Sequence, residues 1–209
     1  VGQLASMPQE YFNDFVRVRY DRGRDGDQAI IDSNIQALTM GYEAVAASGL
    51  SVEQLDEPPT ITETRSLLTG FEALSMGAIA GGLDTFIGYP ISPATTTMVF
   101  METNLVGEGK TVVQSSSEIE SIAGLIGAGF AGKKVMTSTA GPGLSLMGEG
   151  LGLAWMAEIP LVVLNVQRGG PATGLPTKTE QSDLFVALTP GHGDMSVPVI
   201  APGSVTECF

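Results

Sequence analysis

Four short segments hold most of the side chains whose type and spacing suit chemistry. They are GYPISPATTT (88–97), SSSEIE (115–120), TAGPG (139–143) and QRGGPATGLPTKTEQSD (167–183). Ser92 followed by Pro93 suits a helix N-cap and first-turn pair. Ser115-x-x-Glu118 has the spacing of a capping box. The run from Thr139 to Gly143 either forms a plain strand-to-helix turn or turns its backbone N–H groups toward an anion. Arg168 lies in a glycine-rich loop, where an arginine by default points to solvent. His192, alone in GHGD, reads as a loop residue rather than a ligand, and Cys208 as a small core residue.

Several chemistries are excluded. A single cysteine rules out an internal disulfide and any cysteine-ligated zinc or iron–sulfur site built from this chain alone. Gly127-Ala-Gly-Phe-Ala-Gly132 matches G-x-G-x-x-G, but it closes a helical pattern instead of opening one, so it is no dinucleotide fingerprint. Its glycines suit close helix packing. There is no G-x-x-x-x-G-K-[ST] phosphate loop and no G-x-S-x-G elbow, which removes P-loop ATPases and α/β serine hydrolases. With 10 basic against 23 acidic side chains, net −13, no basic stripe exists for DNA or RNA. No stretch has the length of a membrane span, and the basic start and apolar run of a signal peptide are not found in the first residues, so neither is expected here. The absence of disulfides fits a cytoplasmic protein.

The elements that must position these segments follow from hydrophobic period. Hydrophobic residues make up 43% of the 209 and charged ones 16%, enough for a sizeable core. Residues 1–50 read as helical: Ile31, Ile35, Leu38, Tyr42 and Val45 form one stripe, preceded by a polar turn at 21–27. Residues 51–66, with Pro58-Pro59 and several acids, read as a linker. From residue 67 onward strands and helices alternate. Strands are expected at 85–89, 111–115, 134–139, 161–166 and 197–201. Helices are expected over 67–80, from Ser92-Pro93, over 118–131 with Ile119, Ile122, Ile126 and Phe130 inward, over 144–157, and near 179–188. Five short apolar strands separated by helices mean an α/β fold with a mostly parallel, doubly wound sheet. All four chemistry-bearing segments then fall at strand carboxyl ends, along the edge where such sheets bind ligands. The 167–183 loop is also long, as functional loops often are. The chain begins with Val and stops where a helix opens, so it reads as a piece of a longer polypeptide.

Taken together, GFEALSMGAIAGG, GYPISPATTT, SEIESIAGLIGAGFAG, the run from TSTAGPG to TKTEQSDL, and APGSVTECF resemble the α subunit of 2-oxoacid:ferredoxin oxidoreductases. The resemblance covers about residues 67–209 and identifies them with the pyrimidine half of a thiamine-diphosphate-binding fold. Residues 1–50 resemble the tail of the γ domain that precedes the α domain in fused members.

The resemblance implies oxidative decarboxylation of a 2-oxoacid, 2-oxoglutarate for preference, to acyl-CoA and CO2 with reduction of ferredoxin. It implies thiamine diphosphate shared with a β subunit that carries the pyrophosphate-binding domain. Mg²⁺ and a 4Fe–4S cluster are expected on that partner, since no G-D-G metal motif occurs here. Glu118 takes the place of the glutamate that activates the aminopyrimidine, with Pro90 and Ile91 beside the cofactor. Ser92, where the family usually has Thr, and Arg168 take the place of substrate-carboxylate contacts. Two other readings stay open: another thiamine enzyme, such as a lipoamide-using 2-oxoacid dehydrogenase, and a non-catalytic assembly domain.

Overall fold

The computed structural model describes residues 2, 3, 5, 7–50, 62, 63 and 65–209. The chain divides into two units, Val1–Arg65 and Ser66–Phe209. The expected linker at 51–66 falls largely outside the described residues.

The first unit is helical, as its period demands. Helix α1 (Gln9–Tyr20) packs on α2 (Asp27–Ser48), with the polar 21–27 turn between them. Ile31 of the expected stripe is buried, along with Val16 of α1. Gln9 Nε2 donates to Thr39 Oγ1 at 2.7 Å, tying the start of α1 to the second half of α2. Gly49, at φ 66°, ends α2 in the left-handed conformation that stops helices.

The second unit alternates in chain order: α3 (Gly70–Ala80), β1 (Thr85–Gly88), α4 (Thr95–Asn104), β2 (Thr111–Gln114), α5 (Glu118–Phe130) and β3 (Val135–Thr139). Then follow α6 (Gly141–Leu146), α7 (Gly148–Met156), β4 (Val162–Asn165), α8 (Leu184–Leu188) and α9 (Val205–Cys208). The four strands form one parallel sheet in the order β2-β1-β3-β4.

Side chains alternate across the sheet and so build two cores. Phe86 and Met136 pack with Leu83, Met98, Met101 and Leu105 on the α3/α4 side. Their sequence neighbours Ile87 and Val135 pack with Ile122, Leu125, Leu144, Met147 and Leu151 on the α5/α6/α7 side. Both faces are covered, which makes the sheet doubly wound. The chain leaves β1 toward β2, then returns past β1 to build β3 and β4. Strand order therefore reverses between β1 and β3, and the crevice at their carboxyl ends is the expected ligand position.

Several expected elements differ. Residues 197–201 form no strand. Pro198 lies inside that apolar run and Pro202 follows it, and neither offers the backbone donor a ladder needs. Helix α4 starts at Thr95 with Ala94 as N-cap, so Ser92-Pro93 is not its cap. The expected 144–157 helix begins earlier and is two helices, jointed at Met147. The 179–188 helix shrinks to α8, because Asp183 is engaged with the end of β4: its carboxylate accepts from Asn165 and its N–H donates to Gln167 Oε1. On α5 the buried face is Glu118, Ser121, Ile122 and Leu125, while Ile119 and Phe130 are exposed. The i, i+3, i+4, i+7 set facing the sheet thus includes polar residues that an apolar-only search skips.

Candidate functional site

All four strand-end loops lie on one edge, because the strands are parallel. Two of them, after β1 and β3, flank the point where strand order reverses.

Glu118 is the first residue of α5, four residues beyond the end of β2. The expected Ser115–Glu118 capping box does not form. Ser117 is the N-cap, and its hydroxyl accepts from the Glu120 N–H at 3.1 Å. Glu120 reaches back to the Ser116 N–H at 2.6 Å and to the Ser116 hydroxyl. Those bonds, the hydroxyl first, hold the Glu120 carboxyl below its ordinary range. Ser115 turns inward, where its hydroxyl pairs with that of Ser121. Ser117 and Glu120 therefore share the capping, and Glu120 stays in solvent. Glu118 is released from it and is 6% exposed. A carboxyl with so little water around it needs a partner that suits it.

Arg168 follows the end of β4 and is also 6% exposed, not the solvent arginine that its glycine-rich setting suggests. Its Nη1 donates to the Ser92 carbonyl at 2.8 Å and its Nη2 to the Thr173 carbonyl at 2.7 Å. Nε is buried and has no partner among the described residues. A guanidinium carries five N–H donors in a fixed fork, so this one keeps a buried donor edge in reserve. Ser92 contributes its carbonyl to Arg168 and is itself exposed. Pro90 and Ile91, half-buried, lie between Ser92 and the end of β1. Ser92 and Arg168 are thus brought together; Glu118 stands on the neighbouring segment, after β2.

The 167–183 loop is pinned throughout its length. Gly169 N–H donates to the Lys178 carbonyl at 2.8 Å, Leu175 N–H to the Gly169 carbonyl at 2.8 Å, and Gly170 N–H to the Glu180 carboxylate at 2.9 Å. At its base, Asn165 Nδ2 donates to the Asp183 carboxylate at 2.9 Å. Asn165 and Asp183 were not legible as a pair, since their contact spans 18 residues, and Thr173 acts through its backbone carbonyl, which residue type does not reveal. His192 is 94% exposed on its side chain, with Glu149 at 3.7 Å, which agrees with a loop residue. Cys208 is half-buried. Among the described residues no group of three His, Cys, Asp or Glu side chains could hold a metal ion. No helix among them is long and apolar enough to cross a membrane.

Comparison with known proteins gives concordant matches. Residues 76–209 match the family model described as pyruvate flavodoxin/ferredoxin oxidoreductase, thiamine diphosphate-binding. The 2-oxoglutarate synthase subunit KorA of Methanothermobacter marburgensis is 46% identical over 142 residues, covering 68% of this chain and 38% of that protein. The alpha subunit of 2-oxoacid:ferredoxin oxidoreductase 2 of Aeropyrum pernix is 34% identical, covering 99% of this chain and 34% of its own length. The 2-oxoglutarate oxidoreductase subunit KorA of Mycobacterium tuberculosis is 38% identical over 96% of this chain and 31% of that protein. A solved structure of 2-oxoglutarate:ferredoxin oxidoreductase from Magnetococcus marinus, with 2-oxoglutarate, coenzyme A and succinyl-CoA bound, superposes with a TM-score of 0.84. Its identity is 37%, over 99% of this chain and 36% of that one. This chain therefore spans 31 to 38% of the length of these three relatives.

Proposed function

The chain belongs to the thiamine-diphosphate-binding family of pyruvate flavodoxin/ferredoxin oxidoreductases, and from that premise we propose that it forms the pyrimidine-binding part of a 2-oxoglutarate:ferredoxin oxidoreductase. The overall reaction takes a 2-oxoacid, CoA and two oxidised ferredoxins to acyl-CoA, CO2, two reduced ferredoxins and a proton. Its partner is a β subunit carrying the pyrophosphate-binding domain, the Mg²⁺ and the 4Fe–4S cluster, in the cytoplasm. Residues 1–50 are the end of a γ-type domain. The names of the relatives, as 2-oxoglutarate enzymes and alpha subunits, support the substrate and the multi-subunit assembly.

One observation carries the reading: Glu118 is buried at a strand's carboxyl end while its neighbour Glu120 takes the helix cap. The family's cofactor fits what lies there. The pyrimidine ring offers a nitrogen for the Glu118 carboxyl, and the Arg168 fork has a buried Nε without a partner, as a substrate carboxylate requires. Thiamine diphosphate, when bound, supplies the carbanion chemistry of decarboxylation. Glu118 would hold a proton at N1′ of the pyrimidine, and the half-buried Pro90 and Ile91 would lie beside the cofactor. Arg168 binds the substrate carboxylate through its free edge, helped by the Ser92 hydroxyl. Leu184 and Phe185, 54% and 80% exposed just after the 167–183 loop, supply apolar surface for the β subunit.

The test is reconstitution with the β partner. Ferredoxin reduction that depends on both 2-oxoglutarate and CoA, and on added thiamine diphosphate, is expected. Reduction that lipoamide supports and ferredoxin does not would assign the chain to the dehydrogenase class instead.

A further inference from the structure

We propose that Gly143 is the positioning residue for Glu118, and that the missing side chain there fixes where the carboxyl lies. The inference rests on the thiamine reading of Glu118. Gly143 sits, buried, in the middle of α6, across from the start of α5. A methyl built on its Cα would overlap Thr139 Oγ1, and would come within 2.7 Å of Glu118 Cγ and 2.9 Å of Glu118 Oε1. Glu118 therefore rests its stem and one carboxyl oxygen directly against bare backbone.

The neighbours decide what gives way when that space is filled. Thr139 is fully buried on β3, and as a β-branched residue it is stiff at χ1. Glu118 has three rotatable bonds and no β-branch, so its carboxyl can swing where the Thr139 hydroxyl cannot. The displaced group is thus the Glu118 carboxyl. Helix propensity cannot explain a glycine here, since alanine is the better helix former inside α6. Gly143 touches no reacting atom in this account; it acts through Glu118.

The experiment uses the assembled enzyme with its β partner. Gly143→Ala and Gly143→Ala/Thr139→Ala are compared with wild type and with Thr139→Ala alone. Three quantities are read: the exchange rate of the C2 proton of bound thiamine diphosphate by NMR, cofactor affinity by calorimetry, and the thermal midpoint without cofactor. Gly143→Ala is expected to slow exchange about 10²-fold, the order expected of a misplacement near 1 Å. The double variant is expected to recover the thermal midpoint of Thr139→Ala while exchange stays slow, because the added methyl still meets Glu118. Recovery of exchange together with the midpoint would show that Gly143 only makes room for Thr139, and would overturn the proposal. Wild-type exchange in Gly143→Ala, or failure of both variants to fold, would overturn it as well. Wild-type exchange in Glu118→Gln is a separate outcome, which sinks the thiamine role of Glu118 itself.

Discussion

The Arg168 guanidinium donates to the Ser92 carbonyl at 2.8 Å across 76 residues of sequence, while its Nη2 holds Thr173 on its own loop. One buried side chain thereby joins the loop after β1 to the loop after β4. Its planar fork makes two fixed bonds and still presents Nε.

Arg168→Lys tests this arrangement. A lysine ammonium cannot span both carbonyls and keep a bidentate edge for a carboxylate. In the reconstituted enzyme the KM for 2-oxoglutarate is expected to rise at least about tenfold, roughly 1.4 kcal/mol, with that for CoA unchanged. The carbonyl left unpaired should also lower stability by about 1–3 kcal/mol. Steady-state kinetics on both substrates decide the matter: equal shifts in the two KM values would remove Arg168 from carboxylate binding.

Glu118→Gln separates capping from cofactor chemistry. Because Ser117 and Glu120 carry the cap, the substitution should leave the thermal midpoint of the chain nearly unchanged. Exchange of the C2 proton should fall steeply, since an amide cannot move a proton to N1′. A variant that exchanges like wild type would pass the role to another chain.

Ser117→Ala is the complementary change. It removes the acceptor of the Glu120 N–H and is expected to destabilise the second unit by about 1 kcal/mol. Urea unfolding measures it, and an unchanged midpoint would mean that Glu120 alone suffices to start α5.

Acid should weaken the sheet's amino-terminal edge. The Asp84 carboxylate accepts from the Lys134 N–H at 3.0 Å and from Lys110 Nζ at 3.1 Å, and these bonds, the backbone one first, hold its pKa below the ordinary 3.8. With the folded value depressed, its contribution is complete above the unfolded pKa and disappears as pH falls through the folded one. Unfolding free energy measured downward from about pH 5 should therefore decline less steeply in Asp84→Asn than in wild type. Parallel curves would assign the acid sensitivity elsewhere.

Purified without its partner, the chain is expected to show no iron–sulfur absorbance and no 2-oxoacid oxidation, since one cysteine cannot ligate a cluster. Turnover by the chain alone would overturn the division of labour between the subunits.

Local pattern determined a good deal. The four strands stand where short apolar runs lie between helical periods, and a parallel sheet follows from their alternation. That put the four unusual segments on one edge and Glu118 at the head of α5, because strand ends and helix starts depend on residues within a turn of one another. The apolar run at 197–201 was misread on the same basis, since hydrophobicity outweighed Pro198 within it and Pro202 after it. Tertiary structure decided the rest. Ser115 before Glu118 and Ser117 before Glu120 have the same capping-box spacing, and the pairing of Ser115 with Ser121 inside the fold leaves the cap to Ser117 and frees Glu118. Arg168 became a buried clamp only through carbonyls on two loops. No periodicity or spacing rule carries such information, because a contact across 76 residues exists only once the sheet has placed both loops on the same edge.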